Sequence, residues 1–163
     1  MENKELLKQQ VEELATRVNG EVEESFGVFV LKVKAPFIIE TLTAAKNFAN
    51  IPCDFLHDLC GLDLVDHLEV VYQLSSLRGA QLLRVKSIVD RENPVIDSVT
   101  SIWQGADFLE REAYDMFGII FKGHPNLKRI YMWDDFEGYP LRKDHVTEPI
   151  EVRNIVRTRI EGE

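Results

Sequence analysis

Leu6, Leu7, Val11, Leu14, Ala15 and Val18 recur at intervals of three and four near the start of the chain, with charged residues between them. That period predicts an amphipathic helix with Gly20 as its C-terminal stop. Val22 to Val33 is rich in Val and Phe around Gly27 and predicts two short strands in a hairpin. Pro36 stands where a first-turn proline belongs. Behind it Ile38, Ile39, Leu42, Ala45 and Phe48 share one face of a helix that Asn50 and Pro52 are expected to end.

Farther along the period changes to two. Leu68, Val70, Tyr72 and Leu74 alternate with Glu69, Val71 and Gln73, the pattern of a largely buried strand. A turn at Arg78-Gly79 leads to Leu83, Val85 and Val89 on one face and Arg84 and Lys86 on the other. The short turn makes this strand antiparallel to the one before it. Asn93-Pro94 marks a loop, and Asp97 or Ser98 is placed to cap a helix carrying Val99, Ile102, Trp103 and Ala106. Gly105 weakens that helix, and Asp107-x-x-Glu110 looks like a capping box that starts another. The sequence contains no internal repeat and no low-complexity segment.

The expected order is helix, two strands, helix, two strands, helix. It predicts an α+β domain, with helices packed on one face of an antiparallel-rich sheet. Past Phe121 the periodicity stops. Roughly 40 residues without regular elements are too many for an ordinary connection. The expected division is therefore an α+β domain over residues 1–121 and an extended C-terminal docking arm over residues 122–163.

Charge narrows the function classes. Residues 1–121 hold 11 basic and 20 acidic side chains, and residues 122–163 hold eight of each. An acidic domain repels phosphate backbones, so nucleic-acid binding is not expected. The balanced, alternating charge of the final segment suits docking on a mixed protein surface. No apolar run approaches the ~18 residues that span a bilayer, and Met1 to Glu5 lacks an apolar signal region. The expectation is a chain on the cytosolic side, without direct membrane insertion. Cys53 and Cys60 read as buried thiols, and two thiols are too few for an iron–sulfur cluster.

Candidate chemistry is sparse. Glu110, Glu112 and Asp115 could supply an acid and a base, but Asp107, Arg111 and Asp115 fall at successive i, i+4 positions and read better as an ion-paired stripe, with Glu110 and Tyr114 beside it. Cys53, His57, Cys60 and His67 have irregular spacing for zinc, and extended backbone would turn Cys53 and His57 away from Cys60. Gly118 and Gly123 fit no phosphate-binding spacing, and no Ser or Cys sits in a nucleophile elbow. His124, before Pro125 in a loop, fits a turn-fixing or partner-contact role better than that of a lone acid–base group. Arg153 and Arg157 are spaced i, i+4 in a closing segment that suits either a short amphipathic helix or a strand.

The stretch E-R-E-A-Y-D-M-F-G-I-x-F-x-G-H-P-x-L-x-R-I-x-M from Glu110, followed by G-Y-P-L-R-K-D from Gly138, closely resembles the 30-kilodalton subunit family of proton-pumping NADH:quinone oxidoreductase, complex I. The specific likeness runs from Ser98 to Asp144, and Val70 to Ser76 is similar to the family's central strand. The resemblance implies a structural, non-catalytic α+β component of the hydrophilic arm that binds no cofactor or metal. It implies as partners the hydrogenase-like large subunit, near the quinone module, and neighbouring peripheral-arm subunits. It also implies that Glu110, Arg111, Asp115, His124, Pro125, Arg129, Arg142, Lys143 and Asp144 hold the helix end and the arm in docking geometry. His145-Val146 departs from the family, which more often has an aromatic residue there. Two rival readings stay open: the equivalent subunit of a complex I-like membrane-bound hydrogenase or formate hydrogenlyase, and a small soluble enzyme using Glu112 and His124 as acid and base.

Overall fold

The computed structural model describes residues 2–77 and 81–146, so the turn at Arg78-Gly79 and the closing segment with Arg153 and Arg157 lie outside the described residues. Its first helix, α1 (Glu2–Val18), buries Leu7, Val11, Leu14, Ala15 and Val18, the stripe that its period predicts. The helix stops on Asn19, at φ 50°, and the Gly20 amide donates to the Ala15 carbonyl at 2.8 Å. The left-handed residue is thus Asn19 and not Gly20. Gly20 has its own constraint, because a Cβ there would lie 2.7 Å from the Lys32 carbonyl oxygen.

Strands β1 (Glu21–Ser25) and β2 (Val28–Lys34) form the expected hairpin around Phe26-Gly27. Pro36 lies in a single 3₁₀ turn, Ala35–Phe37, that opens α2 (Ile38–Lys46). This helix ends before Asn50. The Asn47 side chain donates to the Thr43 carbonyl at 2.7 Å and closes the last turn.

Between α2 and the two strands of clear alternation lies a strand that the sequence pattern does not show. β3 (Phe55–Asp63) pairs antiparallel with β4 (Leu68–Ser75), and β4 pairs antiparallel with β5 (Leu82–Val89). A bulge between Leu56 and Asp58 inserts one residue, so Leu56 and Leu59 both face inward across a three-residue gap. That irregular step hides the period of two.

The sheet order is β1-β2-β5-β4-β3, antiparallel throughout except for the parallel β2–β5 pair. β4 lies inside the sheet. Leu68, Val70, Tyr72 and Leu74 join Phe29, Leu31, Leu83 and Val85 in the core beneath the helices. On the other face the pairs Lys86 with Glu69, Arg84 with Gln73 and Lys32 with Glu23 lie among the buried Val30 and Val71.

The expected helix over Val99 to Ala106 is instead a turn. It supplies core side chains to the domain, and the Trp103 indole donates to the Asp54 carbonyl at 3.1 Å. The last helix, α3 (Ala106–Phe117), starts on Gly105 without a side-chain cap. It packs against β3, where Gly61 leaves room for the Phe117 ring: a Cβ would come within 2.6 Å of it. Short parallel strands β6 (Val95–Asp97) and β7 (Ile120–Lys122) tie the entry and exit of α3 together.

Candidate functional site: the end of α3 and the arm

Residues 123–146 contain neither helix nor strand, yet they are fastened to α3 at fixed points. Asp115 is the main one. It is fully buried, and its Oδ2 accepts the backbone N–H groups of Ile130 at 3.0 Å, Tyr131 at 2.7 Å and Met132 at 3.0 Å. Its Oδ1 accepts Arg129 Nη1 at 2.9 Å. Burial pushes this carboxyl up, but the amides of Met132, Tyr131 and Ile130 and the Arg129 guanidinium outweigh it, so Asp115 titrates below the usual carboxylate range.

Arg129 continues the network. Its Nη2 donates to the carbonyls of Phe136 at 3.2 Å and Gly138 at 2.9 Å, and its guanidinium sits over the Phe136 and Tyr139 rings. Arg111, one turn before Asp115, donates to the Lys128 carbonyl at 3.1 Å and the Arg129 carbonyl at 3.2 Å. The expected ion-paired stripe of Asp107, Arg111 and Asp115 is therefore replaced: both Arg111 and Asp115 face the arm and hold its backbone. Peptide carbonyls satisfy the Arg111 charge without a second long side chain to immobilise, while Asp115 adds one, Arg129, to its three amides.

Glu110, also fully buried, does not form the expected capping box. Its carboxylate reaches back to the Ser98 hydroxyl at 2.7 Å and the Val99 amide at 2.6 Å, fixing the turn before α3. Burial raises its pKa, and these hydrogen bonds only partly offset the rise. His124 lies beside it with its side chain fully buried. The Asn126 amide donates to Nδ1 at 3.0 Å, so the neutral ring carries its proton on Nε2, which donates to the Asp107 carbonyl at 3.1 Å. Pro125 next to it is exposed.

The far part of the arm returns to the C-terminal end of α3. Gly118 ends the helix at φ 74°, and the Tyr139 ring lies so close that a Cβ would come within 2.4 Å. The Leu141 amide donates to the Met116 carbonyl at 3.1 Å, and Arg142 Nε donates to the Phe117 carbonyl at 2.6 Å. Lys143 and Asp144 then reach Asp63 at the end of β3 and Arg91 in the loop after β5, two residues that the sequence pattern does not single out. No local signal could have found them, since their partners lie far along the chain.

The inward-facing polar groups leave large side chains outside. Tyr131, Trp133 and Leu141 are 62%, 58% and 55% exposed, and Phe108 on α3 is 66% exposed. Trp133 is braced edge-on by Phe136 at 5.1 Å between ring centres. Glu112 is exposed and accepts from the Tyr131 hydroxyl at 3.4 Å, apart from His124. Among the described residues no group of three or more His, Cys, Asp or Glu is arranged to hold a metal ion, and no helix is long and apolar enough to cross a membrane. Cys53 is buried, and its thiol is pushed up to about 12 by desolvation.

The family described as respiratory-chain NADH dehydrogenase, 30 Kd subunit, matches residues 31–151. The chain belongs to this family. It is 45% identical over 137 residues to an NADH-quinone oxidoreductase subunit of Sinorhizobium medicae, a match covering 80% of this chain and 67% of the relative. It is 43% identical over 115 residues to the corresponding NADH-quinone oxidoreductase subunit of Roseiflexus sp., covering 69% and 66%. The chain thus spans about two-thirds of the length of these curated relatives. Among solved structures it is similar to Nqo5, in a trypsin-resistant fragment (1–134), with TM-score 0.67 and 32% identity over 75% of this chain and 99% of that one. A chain from an archaeal respiratory membrane complex, the membrane-bound sulfane sulfur reductase, shares the fold, with TM-score 0.72 and 24% identity over 99% and 92%. The α+β architecture with its five-stranded sheet is the fold of Nqo5.

Proposed function

We propose that this chain is a non-catalytic structural subunit of the hydrophilic arm of a proton-translocating NADH:quinone oxidoreductase, on the cytoplasmic side of the cell membrane. It docks there on the hydrogenase-like large subunit, near the quinone module. Residues 1–121 act as the folded body and residues 122–163 as the docking arm. The observation that carries this reading is the arm's split character. The backbone amides of residues 130–132 and the Arg129 guanidinium are directed inward onto Asp115 of α3, while Tyr131, Trp133 and Leu141 stay outside on a backbone held in place. Exposed aromatics on a rigid frame are the kind of group that dominates interface energies.

On this reading Glu110, Arg111, Asp115, His124 and Arg129 serve the interface from within. Pro125, Arg142, Lys143 and Asp144 lie where a partner can reach them. An acid–base role for His124 with Glu112 has less support, because both His124 ring nitrogens are occupied and the side chain is buried.

Affinity purification of the tagged chain from its native membranes, with mass spectrometry of what comes with it, tests the proposal. Recovery of a hydrogenase-like large subunit together with flavin- and NADH-binding subunits is expected. A nickel-containing large subunit without them would move the chain to a hydrogenase-type complex, and recovery of the chain alone would overturn the docking reading. For Arg142→Ala we expect the isolated domain to keep its cooperative melting while recovery of the partner falls, because Arg142 lies in the arm and outside the core.

A further inference from the structure

The arm is tied to α3 along its length, but its last described turn is tied to the sheet. Asp63, at the end of β3, has a side chain only 2% exposed. Its Oδ1 accepts the Val65 amide at 2.7 Å and pairs with Arg91 Nη1 at 2.5 Å, while its Oδ2 accepts the Lys143 amide at 2.8 Å. The second nitrogen of the same guanidinium, Arg91 Nη2, lies 3.0 Å from Asp144 Oδ1. One carboxylate and one fork thus join three parts of the chain: the β3–β4 turn, the loop after β5 and the far end of the arm.

The local backbone is strained to permit this. Val65 has φ 77°, a left-handed conformation that a β-branched residue rarely adopts. Its amide is turned onto Asp63, and the Leu64 amide donates across the turn to the His67 carbonyl at 3.0 Å. The pairing with Arg91, against the opposing effect of burial, and the amides of Lys143 and Val65 hold the Asp63 carboxyl well below the usual range. Asp144, by contrast, is 62% exposed, so its ion pair contributes little to the stability of the core.

We propose that Asp63 and Arg91 are positioning residues that clasp the distal arm to the sheet, so that the docking surface is already assembled before a partner arrives. The role rests on the docking function proposed above, but the clasp itself is a property of the isolated chain. Ordering a segment at the moment of binding lowers affinity, so an arm already seated binds more tightly than a loose one of the same sequence.

Limited trypsin digestion of the isolated full chain reads the clasp directly, because cleavage of a segment that opens locally follows the population of its open form. Two variants are compared with the parent. Asp144→Asn removes one exposed charge, and because this residue follows Lys143, the cleavage rate there is read relative to that of the same bond in the denatured variant. Arg91→Lys keeps the positive charge, but a single ammonium cannot reproduce the two-sided fork. We expect Arg91→Lys to speed cleavage after Arg142 and Lys143 on the order of tenfold and Asp144→Asn to speed it less, as suits an exposed pair, with cleavage after Arg84 and Lys86 in β5 unchanged. An unaltered rate at Arg142 and Lys143 in both variants would overturn the clasp. Faster cleavage in β5 as well would mean that the charges serve the fold as a whole, and would overturn it too.

Partner recovery from native membranes is then measured with Arg91→Lys, whose site lies outside the arm. Reduced recovery is expected. Full recovery with a released arm would overturn the need for seating, whereas a parent chain that recovers no partner would sink the docking function and leave the digestion result standing.

Discussion

Asp115 concentrates the site's energetics in one side chain. A buried carboxylate is costly unless every lone pair finds a donor, and here three consecutive amides and one guanidinium converge on it. Asp115→Asn keeps the shape but removes the charge and turns an amide group toward backbone donors. It also leaves Arg129, mostly buried, without its counterion. We expect a loss on the order of 3 kcal/mol, measured by denaturant unfolding, with amide-exchange protection lost first at residues 130–132. Glu110 lies at the opposite pole. Burial raises its folded pKa above the ordinary 4.5, so the native state binds a proton there that the unfolded chain has already released. Stability therefore falls as pH rises from 4.5 through the folded value. Glu110→Gln is expected to abolish that fall, which thermal melting across a pH series will show.

The ends of elements are where this chain departs from common residue choices. The β1–β2 hairpin turns on Phe26 at φ 51° and Gly27 at φ 80°, a two-residue turn that ordinarily carries Asn-Gly. Phe26 is fully exposed, so packing does not offset its left-handed backbone. Phe26→Asn is expected to stabilise the protein by about 1 kcal/mol, read as a higher melting temperature. Gly118→Ala works the other way. The left-handed end of α3 and the Tyr139 ring both exclude a Cβ, so a cost of about 1 kcal/mol or more is expected. An unchanged melting temperature would refute the role assigned to Gly118.

At this scale the hydrophobic pattern was a good guide wherever one face is buried and the other wet. α1, α2, β4 and β5 are all legible in it. β3 was not, because its bulge breaks the alternation at His57. Val99, Ile102 and Trp103 suggested a helix because a turn that serves the core can carry apolar residues at helical spacing. The motif around α3 stood out as unusual, but its purpose did not. Asp115 and Arg111 bind peptide groups, which leave no mark on residue identity.

Across the whole molecule, acid should act on several sites at once. Asp63 and Asp115 both have folded pKa values below the ordinary 3.8, so their contributions are complete above that value and are lost as pH falls beneath it. Both carboxylates hold the arm. Acidification below 3.8 is therefore expected to free the arm before the sheet melts, with Trp133 fluorescence changing ahead of far-UV circular dichroism. Coincident transitions would show that arm and sheet unfold as one unit.

The parallel pairing of β2 with β5 also governs the order of assembly. Phe29 lies beside Leu83 and Lys34 beside Ile88, although α2, β3 and β4 all intervene in the chain. On a ribosome the β1–β2 hairpin emerges early with one edge unpaired and must wait for β5 before the sheet can close. The β3–β4–β5 meander, built from neighbours in sequence, is free to form first and then capture the hairpin. Until that capture, the β2 edge is open to pairing with any other strand, which makes a nascent or truncated chain ending before β5 the form most prone to aggregate.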